Sequence, residues 1–300
     1  LYFGGEKLVD GASSLAIRLG ISELIVGMTI VAMGTSAPEA FVSVIASLKN
    51  EPDIALGNVV GSNIANIGLA LALAALIKPV YVRDSFFKRE FPFLMIATTM
   101  LVFMAFDRGI SRLDGIIFLG MMCVFIGYCV FNAKTNVEKI PDEDVSVIKN
   151  PVYDYVYITL GLVTLSFGSD LFVKGAIQLA TMLGISEFII GLTVVALGTS
   201  LPEIATLVIS SWRGKSGIAV GTIVGSNIFN ILFVLGIAGT ISPFRIETES
   251  FMADMWIMLG FALIIAPLLF FDRKIFRWEG MTLLAGYIGY VFYLVYRSTS

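Results

Sequence analysis

Two stretches, GTSAPE at residues 34–39 and GTSLPE at residues 198–203, decide how this sequence reads. Each lies inside a long apolar run and carries a proline and a carboxylate. Proline lacks the N–H that a helix interior needs, and its ring clashes with the carbonyl four residues back. That carbonyl belongs to Gly34 in the first stretch and to Gly198 in the second, and glycine adds backbone freedom there. A carboxylate at the centre of a membrane helix costs about 2.5–3.5 kcal/mol on insertion scales. The chain carries both features twice.

The apolar setting is general. Of 300 residues, 57% are hydrophobic and 14% charged, and the mean hydropathy is +0.89. Several apolar runs exceed the roughly 20 residues that cross a bilayer. The composition predicts an all-α polytopic membrane protein whose surroundings are the lipid bilayer. The net charge of −3 carries no basic field, which argues against nucleic acid as a partner. Histidine is absent, which removes the usual imidazole proton carrier and most zinc chemistry. Cys123 and Cys129 lie on different faces of one run and suggest neither a disulfide nor a metal pair. No signal peptide is visible, and the chain does not begin with Met.

The repetition is systematic. GISELIVGMTIVAMGTSAPE (20–39) matches GISEFIIGLTVVALGTSLPE (184–203) at 14 of 20 positions. GNVVGSNIANIG (57–68) matches GTIVGSNIFNIL (221–232) at 8 of 12, and both pairs share an offset of 164 residues. The same offset joins Glu6 to Asp170. Residues 153–164 have no counterpart in the first half, so the first helix is expected to lack about a dozen N-terminal residues.

The predicted spans are 1–19 (truncated), 21–48, 55–77, 90–106 and 112–132, then 153–183, 185–212, 217–242, 251–271 and 279–297. This gives ten transmembrane helices in two five-helix repeats, 1–132 and 153–300, joined by a polar linker loop at 133–152 with two prolines. An odd number of spans per half starts the second half on the opposite side. The repeats are therefore inverted, a common plan of secondary transporters. Lys and Arg set the orientation. Arg18, Lys78, Arg83, Lys88, Arg89, Lys134, Lys139, Lys149, Arg213, Lys215, Arg273, Lys274 and Arg277 fall on one side; Lys49, Arg108, Arg112, Arg245 and Arg297 fall on the other. The richer side is expected to be cytoplasmic, with the linker inside and both termini outside, in a multi-pass protein of the plasma membrane.

Glu39 and Glu203 occupy the centres of their runs, and no Lys or Arg lies at matching depth in the other core spans. Lys7 and Lys174 hold non-equivalent repeat positions. A bound cation is the simpler partner. The prolines should open the helix over residues 32–36 and 196–200. Freed carbonyls in a membrane are tolerated only in a protein-lined or wet cavity, where they can serve as ligands. Thr35, Ser36, Thr199 and Ser200 add hydroxyls beside them. In GSNIANI and GSNIFNI, Ser62 and Asn66 share a helical face, as do Ser226 and Asn230. Asn63 and Asn227 point elsewhere and read as structural hydrogen-bonders. Carbonyl, hydroxyl and carboxylate oxygens form a hard shell suited to Ca²⁺ or Na⁺. One Gly–Pro kink is often only a bend, and one GSN patch only packing. Two copies of each, paired with central glutamates, read as a metal-binding site. Glu6 and Asp170 are further candidates for an ion path; Glu247, Glu249 and Asp254 read as a solvated outer patch. The aromatic ends FFKREFPF and YIGYVFYLVY read as lipid-facing or interfacial.

Taken together, the doubled GTSxPE and GSNxxN segments resemble the α-repeats of the cation/Ca²⁺ exchanger superfamily, and most of all prokaryotic Na⁺/Ca²⁺ exchangers. The resemblance covers nearly the whole chain. It implies a diamond of four cation sites with Glu39 and Glu203 as central ligands. It further implies a Ca²⁺ site completed by the backbone oxygens of Thr35 and Thr199. Carbonyls of Ala32 and Ala196 would serve flanking Na⁺ sites, together with Ser36, Ser200, Ser62 and Ser226, and Asn66 and Asn230 would border the middle site. Helices 1 and 6 would slide against the rest, and Gly4, Gly11, Gly168 and Gly175 fit a smooth sliding face. Some relatives, K⁺-dependent exchangers among them, carry Asp at the position of Asn230; Asn here argues against K⁺ coupling. The linker is too short for the regulatory domain of animal exchangers.

The expected function is a secondary active antiporter exchanging Na⁺ for Ca²⁺ by alternating access, with a cation/H⁺ antiporter on the same scaffold as the alternative. No cofactor beyond the transported ions and no obligate protein partner is expected. An enzyme such as an intramembrane hydrolase would need a nucleophile–base pair or a metal-bound water, and the sequence offers neither. Duplicated broken helices also favour a carrier over a channel.

Overall fold

The computed structural model describes residues 1–82, 86–107, 109–133, 148–183, 196–245, 250–270 and 273–299. Helix α1 (Tyr2–Leu19) ends at Gly20, whose φ of 63° turns its N–H back to the Ala16 and Ile17 carbonyls. Ser22 then caps α2 (Glu23–Thr35), its hydroxyl accepting from the Ile25 N–H at 3.3 Å. After a break at Ser36 the chain continues as α3 (Ala37–Leu48), α4 (Asp53–Ile77), α5 (Phe86–Met104) and α6 (Arg112–Asn132). The second part holds α7 (Pro151–Met182), a short turn Ala196–Gly198, α8 (Leu201–Trp212), α9 (Ser216–Ile241), α10 (Ser250–Phe270) and α11 (Arg277–Thr299). Most of the expected linker, residues 134–147, and most of the arm before the second GTSxPE, residues 184–195 with Glu187, lie outside the described residues.

The duplication persists in three dimensions. α3 and α8 begin and end at residues 164 apart. Both α4 and α9 widen into a π-turn, Asn66–Leu71 in one and Asn230–Leu235 in the other, again 164 apart. A third π-turn, Gly27–Val31, sits in α2. Such widened turns are frequent at functional sites. Two-residue strands tie the parts together: β1 (Val80–Tyr81) pairs antiparallel with β4 (Lys274–Ile275), and β2 (Gly109–Ile110) with β3 (Phe244–Arg245).

Length and apolarity single out α4, α6, α7, α9 and α10 among the described residues as able to cross a membrane, and α2 with α3 as one bent span. α1 carries Glu6, Lys7, Asp10 and Arg18 in 18 residues, too many charges to stand out on hydropathy. Burial sorts these helices into shells. The apolar windows of α9 and α4 are 94% and 72% buried, against 22–28% for α6, α7 and α10. Phe41, Phe103, Phe131 and Phe292 face outward, while Glu39, Glu203, Ser36, Ser200, Asn66 and Asn230 lie inside. An apolar exterior around a polar interior is the arrangement a lipid solvent favours.

Glycine permits the closest approach in the core. A Cβ at Gly225 of α9 would lie 2.5 Å from the Met28 carbonyl oxygen of α2. Along α1, Gly4 and Gly11 lie against the backbone of α7, which answers with its own Gly161. Gly168 meets Leu1, whereas a Cβ at Gly175 has no described neighbour within 4 Å. A buried cluster also joins these two helices. Asp154 accepts from the Ser14 hydroxyl at 2.6 Å and from Arg18 Nε at 2.6 Å; Arg18 also donates to the Ile148 carbonyl. Asp254 is almost fully buried and takes two hydrogen bonds from Arg297 at 3.0 and 3.2 Å, so it belongs to no solvated patch. Its expected companions Glu247 and Glu249 lie outside the described residues. The aromatic segments are mixed rather than uniformly lipid-facing: Phe86, Tyr287 and Tyr290 are buried, and Phe292 and Tyr296 are exposed. Cys123 and Cys129 are both free.

Candidate cation site

Pro38 does not sit inside a helix that it breaks. It is the second residue of a new one, α3, where an absent N–H costs nothing because first-turn amides have no intrahelical acceptor. Pro202 holds the same place in α8. The break is confined to one residue, Ser36 (φ −83°, ψ 6°), and to the Thr199–Ser200 turn, with Ser200 at φ −86°, ψ 2°. Residues 32–35 stay helical, so the opening is narrower than the sequence suggests. The Ala32 carbonyl accepts from the Ser36 N–H at 2.9 Å and from the Thr35 hydroxyl at 3.4 Å. α2 and α3 meet at 46°.

This geometry puts Glu39 and Glu203 in the first turns of α3 and α8, where the helix dipole favours a carboxylate. Both are buried, at 0% and 1% exposure. Each is held by serines of both sequence halves. Ser36 donates to Glu203 Oε1 at 2.9 Å, and Ser200 donates to Glu39 Oε1 at 3.1 Å. Ser62 and Ser226 approach Glu39 Oε1 and Glu203 Oε1, both at 3.5 Å. Ser200 also donates to the Ser62 hydroxyl at 3.0 Å.

Four asparagines from the π-turns and the residues before them complete the centre. Asn66 donates to Asn227 Oδ1 at 3.0 Å, Asn230 donates to Asn63 Oδ1 at 3.1 Å, and Asn63 donates to the Asn227 carbonyl at 3.3 Å. Asn63 and Asn227 therefore orient the pair Asn66 and Asn230. What remains is a set of buried oxygens with no hydrogen-bond donor: Glu39 Oε2, Glu203 Oε2, Asn66 Oδ1 and Asn230 Oδ1. Buried acceptors are seldom left so, and a hard cation is the partner their chemistry suits. Among the described residues no ion pair reaches Glu39 or Glu203, and no third acid or cysteine clusters with them. Lys7 lies over the Tyr157 ring instead, and Lys174 pairs with Asp170 on an exposed face. Glu6, together with Asp10, pairs with Arg213, so neither Glu6 nor Asp170 joins the centre.

Of the predicted ligands, Glu39, Glu203, Ser36, Ser200, Ser62 and Ser226 come together, while Asn66 and Asn230 join the asparagine network one turn further along α4 and α9. Thr35 turns its hydroxyl to its own helix and Thr199 turns its hydroxyl to Asn58. Ala196 opens the short helical turn before Thr199. Asn58 and Ser43, absent from the sequence-based set, join the network. Asn58 lies four residues before Ser62, a spacing that could have revealed it.

The family described as sodium/calcium exchanger protein matches residues 1–131 and 153–296. The chain is 40% identical to CaxA of Alkalimonas amylolytica, over 98% of this chain and 95% of that protein. It is 30% identical to the sodium/calcium exchanger MaX1 of Methanosarcina acetivorans, over 98% and 95%. Its structure is similar to that of the sodium-calcium exchanger NCX_Mj soaked with Na⁺ and Ca²⁺, at a TM-score of 0.82 and 31% identity, covering 96% of this chain and 92% of that one. With a doubled buried glutamate centre and a family match over nearly its whole length, this chain belongs to the sodium/calcium exchanger family.

Proposed function

We propose that this protein is a secondary antiporter that exchanges Na⁺ for Ca²⁺ by binding either ion between Glu39 and Glu203. The observation that carries the reading is the crossed pair of hydrogen bonds, Ser36 to Glu203 and Ser200 to Glu39. It draws one acid from each half into a single buried shell with a charge of −2 when ionised. One Ca²⁺ balances that charge, and so does a set of Na⁺ ions. An empty centre leaves two like charges in a low dielectric, which penalises switching without cargo and favours obligatory exchange.

The four donorless oxygens are the primary ligands, with the serine hydroxyls beside them. The Thr35 and Thr199 carbonyls would complete a Ca²⁺ shell, and those of Ala32 and Ala196 would serve flanking Na⁺ positions. Cargo of this kind needs no resident cofactor, and the comparisons favour Na⁺ over protons as the counter-ion.

Ten spans in two inverted repeats, 1–132 and 153–300, best explain the strand pairs. β1 follows α4, and its 164-residue equivalent is β3. Yet β1 pairs with β4, the second-half counterpart of β2, and β3 pairs with β2. Halves related by a two-fold axis in the membrane plane produce this exchange. Lys and Arg then place loop 133–152 in the cytoplasm and both termini outside the plasma membrane.

The test is Na⁺-driven Ca²⁺ flux in proteoliposomes. Glu39→Gln or Glu203→Gln keeps the shape and removes one charge, and either should abolish flux. Wild-type flux in either variant contradicts the two-acid site.

A further inference from the structure

We propose that Asn58 is a positioning residue that holds the Thr199–Ser200 turn over Glu39, and that among the described residues the Glu203 side of the centre has no equivalent brace. This rests on the exchanger reading above and deepens it, because it makes the two halves of the site unequal.

The stripe Asn58, Ser62, Asn66 runs along one face of α4 at four-residue steps. Ser62 and Asn66 already belong to the centre. Asn58 makes three contacts that join both halves. Its Nδ2 donates to the Glu39 backbone carbonyl at 3.1 Å and to the Ser43 hydroxyl at 2.9 Å. Its Oδ1 accepts from the Thr199 hydroxyl at 3.3 Å. Ser43 in turn donates to the Ala55 carbonyl at 3.3 Å, locking α3 to α4 beneath the amide. One side chain therefore spans from the backbone of one acid to the turn that carries Ser200, the donor to that acid.

The repeat-related positions lack this device. Asn58 corresponds to Thr222, whose buried hydroxyl has no hydrogen-bond partner among the described residues. Ser43 corresponds to Leu207, a core residue. Thr199 corresponds to Thr35, whose hydroxyl folds back on the Ala32 carbonyl of its own helix. A threonine branches too short to reach both an acid's backbone and the opposing turn. Both threonines also approach the acid of the opposite half, Thr199 to Glu39 and Thr35 to Glu203, so what sets the Thr199 side apart is the Asn58 amide that holds it.

Asn58 touches no donorless oxygen of the centre, so it acts through Thr199 and Glu39. Removing it should loosen ion capture while leaving the transport cycle intact. Na⁺-driven Ca²⁺ uptake into proteoliposomes reads this as a split. For Asn58→Ala the half-saturating Ca²⁺ concentration should rise about tenfold, the factor equivalent to one buried hydrogen bond. Maximal rate at saturating Ca²⁺ should stay within about twofold of wild type. Asn58→Thr places the repeat-equivalent residue there, one the opposite half tolerates, and should shift half-saturation in the same direction. Thr222→Ala should leave it unchanged. Thr199→Val should shift half-saturation in the same direction but by less, and the double variant should be no worse than Asn58→Ala alone, because the Thr199 bond is one of the three that Asn58→Ala already removes.

Half-saturation unchanged in Asn58→Ala and Asn58→Thr overturns the proposal. So do shifts that multiply in the double variant, or an equal shift from Thr222→Ala. Failure of the exchanger reading looks different: the wild-type protein itself would then show no Na⁺-dependent uptake.

Discussion

At the scale of single residues, the centre is built from groups that are individually unfavourable in lipid and mutually satisfying together. A buried serine or asparagine needs a partner, and here Ser36, Ser200, Asn63, Asn66 and Asn230 find theirs in the other half. Asn63 shows how strict this is. It accepts from Asn230 and donates to the Asn227 carbonyl, and Asn230 is fully buried. Asn63→Ala strands the Asn230 amide and should destabilise the protein by about 1–3 kcal/mol, the cost of a buried donor left unmade. Thermal unfolding in detergent checks this, and an unchanged midpoint would contradict it. The acids, the serines and the Asn66–Asn230 pair were all legible in the sequence, because repeated polar residues in apolar runs stand out. Asn58 was not, since its equivalent is Thr222 and repeat matching passes over positions where the halves differ.

At the scale of elements, the broken helix is better described as two helices meeting at a capped corner. Each proline starts a helix rather than disrupting one, and each glutamate gains from the first-turn dipole. The corner works only if its neighbours approach closely. Gly225 lets α9 lie against Met28 and Ala32, and the next residue, Ser226, reaches Glu203. Gly225→Ala should cost about 1–3 kcal/mol through overpacking and displace Ser226, lowering Ca²⁺ flux. Gly120→Ala, on the exposed face of α6 with open space around it, should stay within about 0.5 kcal/mol and keep flux. Melting and uptake measured side by side distinguish a packing effect from a general intolerance of the added methyl. The pairing of Gly4 with Gly161, and of Gly11 with Asp154 and Ile158, could not be read from the duplication, because those partners lie in the segment of α7 that has no first-half match.

For the whole molecule, two shells and one pseudo-symmetry account for the sequence pattern. The buried helices α4 and α9 carry the GSN segments, with α6 packed against α9, α10 and α11 against α4, and α7 against α1. Ion pairs join neighbouring helices: Arg18 with the buried Asp154, Arg213 with Asp10, and Lys215 with Glu23. Orientation is a prediction at this scale. In a protein with Cys123 and Cys129 replaced, a single cysteine at Lys149 should react with a membrane-impermeant thiol reagent only from the cytoplasmic side. One at Lys49 should react only from outside. The reverse pattern would invert the assigned topology without affecting the site.

The amino-acid sequence alone settled the membrane environment, the duplication and the two buried acids. These depend on composition and on spacing along the chain, which local physics reads directly. The tertiary structure decided where the helix breaks fall, which serine serves which acid, and that Asn58 links the Glu39 backbone to the Thr199 hydroxyl. Those outcomes depend on how two halves about 160 residues apart are set against each other. No local pattern encodes such a distance, because the hydrogen bonds that fix it form only after both helix corners have packed together.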